Sequence, residues 1–174
     1  MQKEENKGMS SLLHVLYTYI LIIFFSITLF AGGVGQKLPA FTMEDQNAKE
    51  VQSSSLRGKH VLLFLADRAG SKLTPNWTKV LEPKYRNKAT FVAVANVASV
   101  PFFLKSFIRG KFQENYSYTV LMDWEGFLWD HFSCKNDVTT VVHIDPQGIA
   151  KYKISGNGTD KELSQLQSHL DASF

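Results

Sequence analysis

The chain has 174 residues, 44% of them hydrophobic and 20% charged, proportions that fit one globular domain and exclude a disordered segment. With 19 Lys plus Arg against 16 Asp plus Glu the formal charge is +3, far short of the dense cationic face that holds a phosphate backbone, so nucleic acid is not expected as a partner. One cysteine closes no intramolecular bridge, supplies no CxxC redox pair and builds no cysteine-rich zinc site, and neither cofactor nor metal is expected.

The first 34 residues read differently from the rest. Leu12 to Ala31 is a 20-residue run without Asp, Glu, Lys or Arg, long enough as a hydrophobic helix to cross a bilayer core of about 30 Å. Lys3 and Lys7 precede it, and the small residues Ala31, Gly33 and Gly35 follow it. Two readings stay open: a signal peptide cleaved near those small residues, or an uncleaved anchor that ties the chain to a membrane. Both place residues 35–174 outside the cytoplasm, in a bacterium the periplasm or the outer surface. Residues 1 to 33 hold two lysines and two glutamates, so the exported part keeps the charge of +3.

From Gly35 onward strand-like and helix-like segments alternate, the signature of an α/β sheet covered by helices. His60 to Ala66 is a short apolar run of the buried-strand kind. Ser71 to Tyr85 is predicted as a helix capped by Ser71 or Thr74, with Pro75 just behind Thr74 as the stronger start signal and Pro83 as its end or kink. Phe91 to Val97 is a second apolar strand. Pro101 to Phe112 reads as an amphipathic helix with Phe103, Phe107 and Ile108 on its apolar side, ending near Gly110. Tyr118 to Met122 is a third strand and Asp123 to Gly126 its turn. Thr139 to Ile144 turns at Asp145 to Gly148 into Ile149 to Ile154, a hairpin. Lys161 to Leu170 closes the chain as a helix with Leu163, Leu166 and Leu170 on one side.

The order and punctuation of these segments resemble a known family. Gly35, Pro39, Phe41, Asp45, Leu56, Gly58 and Lys59 match the opening segment of the redoxin and peroxiredoxin branch of the thioredoxin-like fold, in which a short hairpin leads into the first central strand. Val120 to Phe132, with Asp123 to Gly126 at its turn, and the run Asp137 to Gly156 look like that family's later strand, helix and closing hairpin. The resemblance covers Gly35 to the end of the chain and implies a three-layer sandwich around a central mixed β-sheet. More narrowly, Ala66-Asp67-Arg68-Ala69-Gly70 and the missing CxxC are similar to the exported bacterial YtfJ-like group, which carries over no activity.

The departures from the family bear on function. The reactive cysteine of that fold sits at the N-terminus of the first long helix, where the macrodipole stabilises a thiolate. The two CxxC positions fall here on Ala69 and Lys72. The loop opposite carries a cis-proline in the family, and the matching residue is Thr139. A non-proline cis bond costs about 2.5 to 4 kcal/mol, so a trans peptide is expected there. Peroxide reduction needs a hydroxyl beside a cysteine on one helix turn, and Ser71 has no such neighbour.

Each candidate residue has a plain structural reading beside the functional one. Asp67 and Arg68 lie where a central strand meets a helix, the place where α/β sheets bind ligands; Arg68 could hold an anion there, or the two could form a local ion pair or cap. Ser71 and Lys72 belong to the same candidate edge. Cys134, five residues before Thr139, is either a buried small hydrophobe or a reactive thiol. His131, Cys134 and His143 have the spacing of metal ligands only weakly, and His143 fits a hydrogen-bonded sheet residue. Trp124, Phe127, Trp129 and Phe132, with Tyr116 and Tyr118 before them, either fill the core or line a groove for a peptide or protein. The sequons at Asn76, Asn115 and Asn157 matter only in a glycosylating compartment. The preferred function is a non-catalytic binding or adaptor module using the Asp67 to Lys72 edge that faces Thr139. The rival is a single-cysteine oxidoreductase or peroxidase using Cys134.

Overall fold

The computed structural model describes residues 33–174, and the expected leader falls almost entirely outside them. Gly33 and Gly35, placed before or at the domain boundary by sequence, already belong to the folded unit. Gly33 packs on Phe132, and the Gly35 N–H donates to the Ala150 carbonyl at 2.7 Å. Among the described residues no helix is long and apolar enough to cross a membrane.

Seven strands and four α-helices follow in chain order: β1 (Thr42–Glu44), β2 (Glu50–Gln52), β3 (His60–Ala66), α1 (Thr74–Tyr85), β4 (Ala89–Asn96), α2 (Lys105–Asn115), β5 (Val120–Asp123), α3 (Phe127–His131), β6 (Thr139–Ile144), β7 (Ala150–Gly156) and α4 (Asp160–Ser173). β1 and β2 form a hairpin, and the other five strands make one sheet in the order β5-β4-β3-β6-β7. β3, β4 and β5 run parallel, whereas β6 and β7 are antiparallel to their neighbours. Period-2 alternation gives β3 two buried faces. Val61, Leu63 and Leu65 meet Phe41 and Met43 of the hairpin and Leu128, Trp129 and Phe132 around α3. Leu62 and Phe64 meet Trp77, Leu81 and Tyr85 of α1 and Leu163, Leu166 and Leu170 of α4. The sheet is therefore the middle of three layers, as the sequence pattern implied.

Local chemistry sets the element ends. A 3₁₀ turn at Gly70–Lys72 precedes α1, so the α-helix starts at Thr74 with Pro75 in its first turn. Neither Ser71 nor Thr74 caps it by a side-chain bond, contrary to expectation: the Ser71 hydroxyl donates to the Arg68 carbonyl at 2.9 Å, and the Thr74 hydroxyl meets Thr139 at 3.1 Å. Pro83 sits inside α1, which ends two residues later at Tyr85. α4 begins with a capping box: the Thr159 hydroxyl accepts from the Glu162 N–H at 3.4 Å, and the Glu162 carboxylate accepts from the Thr159 N–H at 2.8 Å. α2 departs most from the sequence reading. It runs past Gly110 to Asn115 and packs the half-buried Ile108 and Phe112 against Ala95, Val120 and Met122, while Phe103 and Phe107 face solvent at 80% and 60% exposure.

The outer strand β5 does not end the sheet as a bare edge. Gln46, only 3% exposed, donates through its amide to the Tyr118 carbonyl at 2.7 Å and accepts from the Val120 N–H at 2.8 Å. Its own carbonyl accepts from the Gln113 side chain at 2.8 Å, tying hairpin, β5 and α2 together. Gln46→Ala is expected to lower unfolding stability by about 2 kcal/mol, because buried backbone groups lose their partners. In Gln46→Glu only the protonated carboxyl donates to Tyr118, so burial raises its folded-state pKa and stability is regained as pH falls from 7 to 4. Urea unfolding at the two pH values measures both effects.

Candidate functional site

The parallel strands β3, β4 and β5 all point their C-terminal ends to one edge, the ligand-binding edge of open α/β sheets. Two candidate places lie along it, one after β3 and one after β5.

After β3 the chain is clamped to the segment that leads into β6. Asp67 accepts from the Gly70 N–H at 2.7 Å with one carboxylate oxygen and from the Asp137 N–H at 3.0 Å with the other. Its two oxygens serve the backbone, and among the described residues it makes no ion pair with the exposed Arg68. Thr139, fully buried, donates its single hydroxyl proton to the Gly70 carbonyl at 2.9 Å, so across the 3.1 Å contact it accepts from Thr74. The peptide before Thr139 is trans, as expected. A Cβ added to Gly70 would stand 2.3 Å from the Val138 carbonyl oxygen and 2.6 Å from its carbon, so the two backbones are in direct contact and glycine is required for space. Of the expected ligand-binding residues, Asp67 is engaged in this clamp, Ser71 bonds back to its own turn, and Arg68 and Lys72 remain on the exposed rim.

Cys134 is half-buried and packs against the core beneath α3. Burial pushes its thiol up to about 11, outweighing the Thr140 hydroxyl and the Lys153 charge, which favour the thiolate. Among the described residues no group of His, Cys, Asp and Glu has the arrangement of a metal site, and His143 is bonded on both ring nitrogens, as a sheet residue should be.

After β5 the edge is open. Asp123, at the strand end, accepts from the N–H groups of Phe127, Leu128 and Trp129 at 2.8, 3.0 and 3.1 Å. Gly126 takes φ +70 just before α3, which explains the Asp-x-x-Gly spacing: carboxylate to cap, glycine to turn. Burial raises the Asp123 pKa even against those three bonds. The aromatic cluster divides here. Trp129 and Phe132 are core, whereas Trp124 and the 44% exposed Phe127 line a groove of about 340 Å³ between residues 40–44 and 122–127. The Lys105 ammonium lies 5.0 Å and the Arg109 guanidinium 5.9 Å from the Trp124 ring centre, and Arg109 also pairs with Glu44. The Trp124 indole N–H is buried without a partner.

The opposite wall of the groove is a strand edge. The Ser53 N–H donates to the Phe41 carbonyl at 3.0 Å and the Asp45 N–H to the Lys49 carbonyl at 2.9 Å, so residues 41 and 45 turn their backbone groups toward β2. By alternation, Thr42 turns its N–H and C=O away from β2 into the groove, where among the described residues no strand pairs with it, although Asp45 further along bridges to Leu121 of β5. Sequence reasoning found Trp124 and Phe127 by their density of rings but missed Thr42, Lys105 and Arg109, whose roles depend on long-range placement.

Comparison with solved structures finds chains of similar fold. It superposes on the pneumococcal exposed lipoprotein thioredoxin from Streptococcus pneumoniae with a TM-score of 0.58, 16% identity and coverage of 75% of this chain and 99% of that one. The thioredoxin domain of a thiol-disulfide oxidoreductase from Bacteroides vulgatus gives 0.54, 19% identity and coverage of 79% and 97%. Thiol peroxidase from Chromobacterium violaceum gives 0.57, 10% identity and coverage of 80% and 87%. No protein-family model matches the sequence, and no curated protein matches it. At these identities the likeness establishes the fold, which is thioredoxin-like.

The clamp makes a contrast between two glycines. Gly70→Ala drives a methyl group into Val138 and is expected to lower stability by about 2 kcal/mol. Gly110→Ala, in open space on α2, is expected to raise stability by up to about 1 kcal/mol through helix propensity. Urea unfolding of the two variants gives opposite signs.

Proposed function

We propose that this chain is an extracytoplasmic thioredoxin-fold binding module without thiol exchange, and that it holds an extended polypeptide segment in the groove between Thr42 and Trp124. The carrying observation is the groove itself: unpaired main-chain groups of Thr42 on one wall, aromatic side chains on the other, and an apolar floor that includes Phe41 and Met122. An extended peptide offers the matching N–H and C=O to a strand edge and apolar side chains to the rings. The edge between Asp67 and Lys72, favoured by sequence, carries the Gly70 to Val138 contact and presents Arg68 and Lys72 on an exposed rim, so the groove is the site we prefer. The apolar run from Leu12 to Ala31 supports an extracytoplasmic location, and the Ala66 to Gly70 motif supports a grouping with YtfJ-like proteins.

The rival reading needs Cys134 as a nucleophile. A reactive thiol carries a depressed pKa in an accessible, electropositive setting, and Cys134 has the reverse. At neutral pH, iodoacetamide is expected to label native Cys134 at least about 100-fold more slowly than the urea-unfolded chain. Labelling at a similar rate would restore the rival.

Binding is tested with reduced, carboxamidomethylated lactalbumin as an unfolded polypeptide, read by amide and indole NMR shifts of the domain. Shifts centred on the Thr42 amide and Trp124 indole are expected, with affinity falling about tenfold or more in Trp124→Ala and in Thr42→Pro, which lacks the edge donor. Shifts centred on Asp67, Lys72 and Thr139, or no binding at millimolar concentration, would overturn the reading.

A further inference from the structure

At the opposite end of β3 and β6, three histidines from three elements form one hydrogen-bonded chain. His60 Nδ1 lies 2.9 Å from His143 Nε2, and His143 Nδ1 lies 2.8 Å from His169 Nε2. His143, on β6, is 1% exposed; His60 on β3 and His169 on α4 are half-buried. Around them Tyr152 of β7 stacks on His169 at 4.6 Å, and the Phe174 ring meets His60 at 4.7 Å and His143 at 5.6 Å. α4 and the residue after it are thus held to the sheet partly through imidazoles.

Proton counting limits what this chain can hold. Each of the two N···N contacts takes one proton, and the two outer nitrogens, His60 Nε2 and His169 Nδ1, take one each. The total of four is one more than three neutral rings carry. A first extra proton places a cation among rings with no carboxylate in hydrogen-bond contact. A second sets N–H against H–N across a contact of 2.8 to 2.9 Å and breaks it.

The charged groups that face the chain give little relief. Lys151 on β7 disfavours protonation of both His143 and His169, and Asp145 in the β6 to β7 turn favours that of His143. Lys88, after α1, lies 5.7 Å from the Phe174 ring, while Asp171 of α4 is occupied by Lys84 and by the Tyr85 hydroxyl, both at 2.7 Å.

We propose that the His60, His143 and His169 chain is an acid-sensitive latch on the C-terminal part of α4, closed at neutral pH and released on proton uptake, uncovering the apolar face of Leu166 and Leu170.

Burial and the neighbouring histidines lower the His143 pKa to about 4, against about 6.5 in an unfolded chain. The sign follows: a histidine depressed in the closed state contributes stability that is complete above pH 6.5 and is lost as pH falls toward 4. One such group raises the opening constant about 50-fold between pH 7 and pH 4.5.

The test is hydrogen exchange of the full chain at pH 7 and pH 4.5, corrected for intrinsic rates. Protection of the amides from His169 to Phe174 is expected to fall about 50-fold and, because they exchange by local opening, to stay well below that of the β3 amides at both pH values. His143→Gln keeps one donor and one acceptor in the chain but takes no proton, so its α4 protection is expected to be nearly independent of pH. Should His143→Gln not fold, the ring NMR shifts of His143 in the wild type give the reading: protonation that coincides with loss of α4 protection is expected, and protonation with α4 still protected overturns the proposal. The proposal is overturned if α4 amides are protected as strongly as those of β3 and so exchange only by global unfolding, if α4 keeps its protection at pH 4.5, or if the folded glutamine variant loses as much as the wild type.

Discussion

The structure turns on one backbone contact, that of Gly70 against Val138. It brings the loop after β3 against the segment before β6, and each neighbouring group reinforces it: the Asp67 carboxylate bonds to both sides, and the Thr139 hydroxyl bonds to the Gly70 carbonyl and to Thr74. These groups are buried or half-buried and each has a partner, so opening the clamp would strand several polar atoms at once. In the family that this fold resembles, the same two loops form the opening in which a disulfide meets a thiolate. Here the opening is filled by main chain.

The open part of the sheet edge lies instead after β5, where a second set of constraints builds a wall. Asp123 caps α3 and fixes the turn that presents Trp124, while α2 brings Lys105 and Arg109 over that ring. Gln46 holds the hairpin to β5, so the Thr42 edge and the Trp124 wall are set on one framework. The adjoining Phe102 and Phe103, 84% and 80% exposed, extend the aromatic surface beyond the groove, and Lys105 bridges Phe102 to Trp124.

Strands β3 and β6 were legible in the sequence to the residue, because unbroken apolar runs bounded by polar turns leave little choice of position. The closing hairpin was legible from Asp145 and Gly148, whose turn chemistry is local: Gly148 takes φ +82, and Asp145 accepts from the Ile149 N–H at 2.8 Å. The α2 face was half legible: Ile108 packs on the sheet as expected, but its companion there is Phe112, and Phe103 and Phe107, which share its helical spacing, face solvent. The Asp67 role was half legible. A capping carboxylate was among the readings, but its second bond, to Asp137, joins residues 70 apart and leaves no local signal. The histidine chain was invisible for the same reason, since its members come from β3, β6 and α4.

The central claim is our proposal that the Gly70 to Val138 contact, and not only the absence of cysteine at Ala69 and Lys72, leaves no room for thiol exchange. The most direct measurement restores the sulfur: the double variant Ala69→Cys, Lys72→Cys, assayed for reduction of insulin disulfides with dithiothreitol as electron donor. The account predicts a folded dithiol protein whose reduction rate stays near the uncatalysed background, because backbone occupies the position a substrate strand needs. A rate within about tenfold of an ordinary thioredoxin would contradict it.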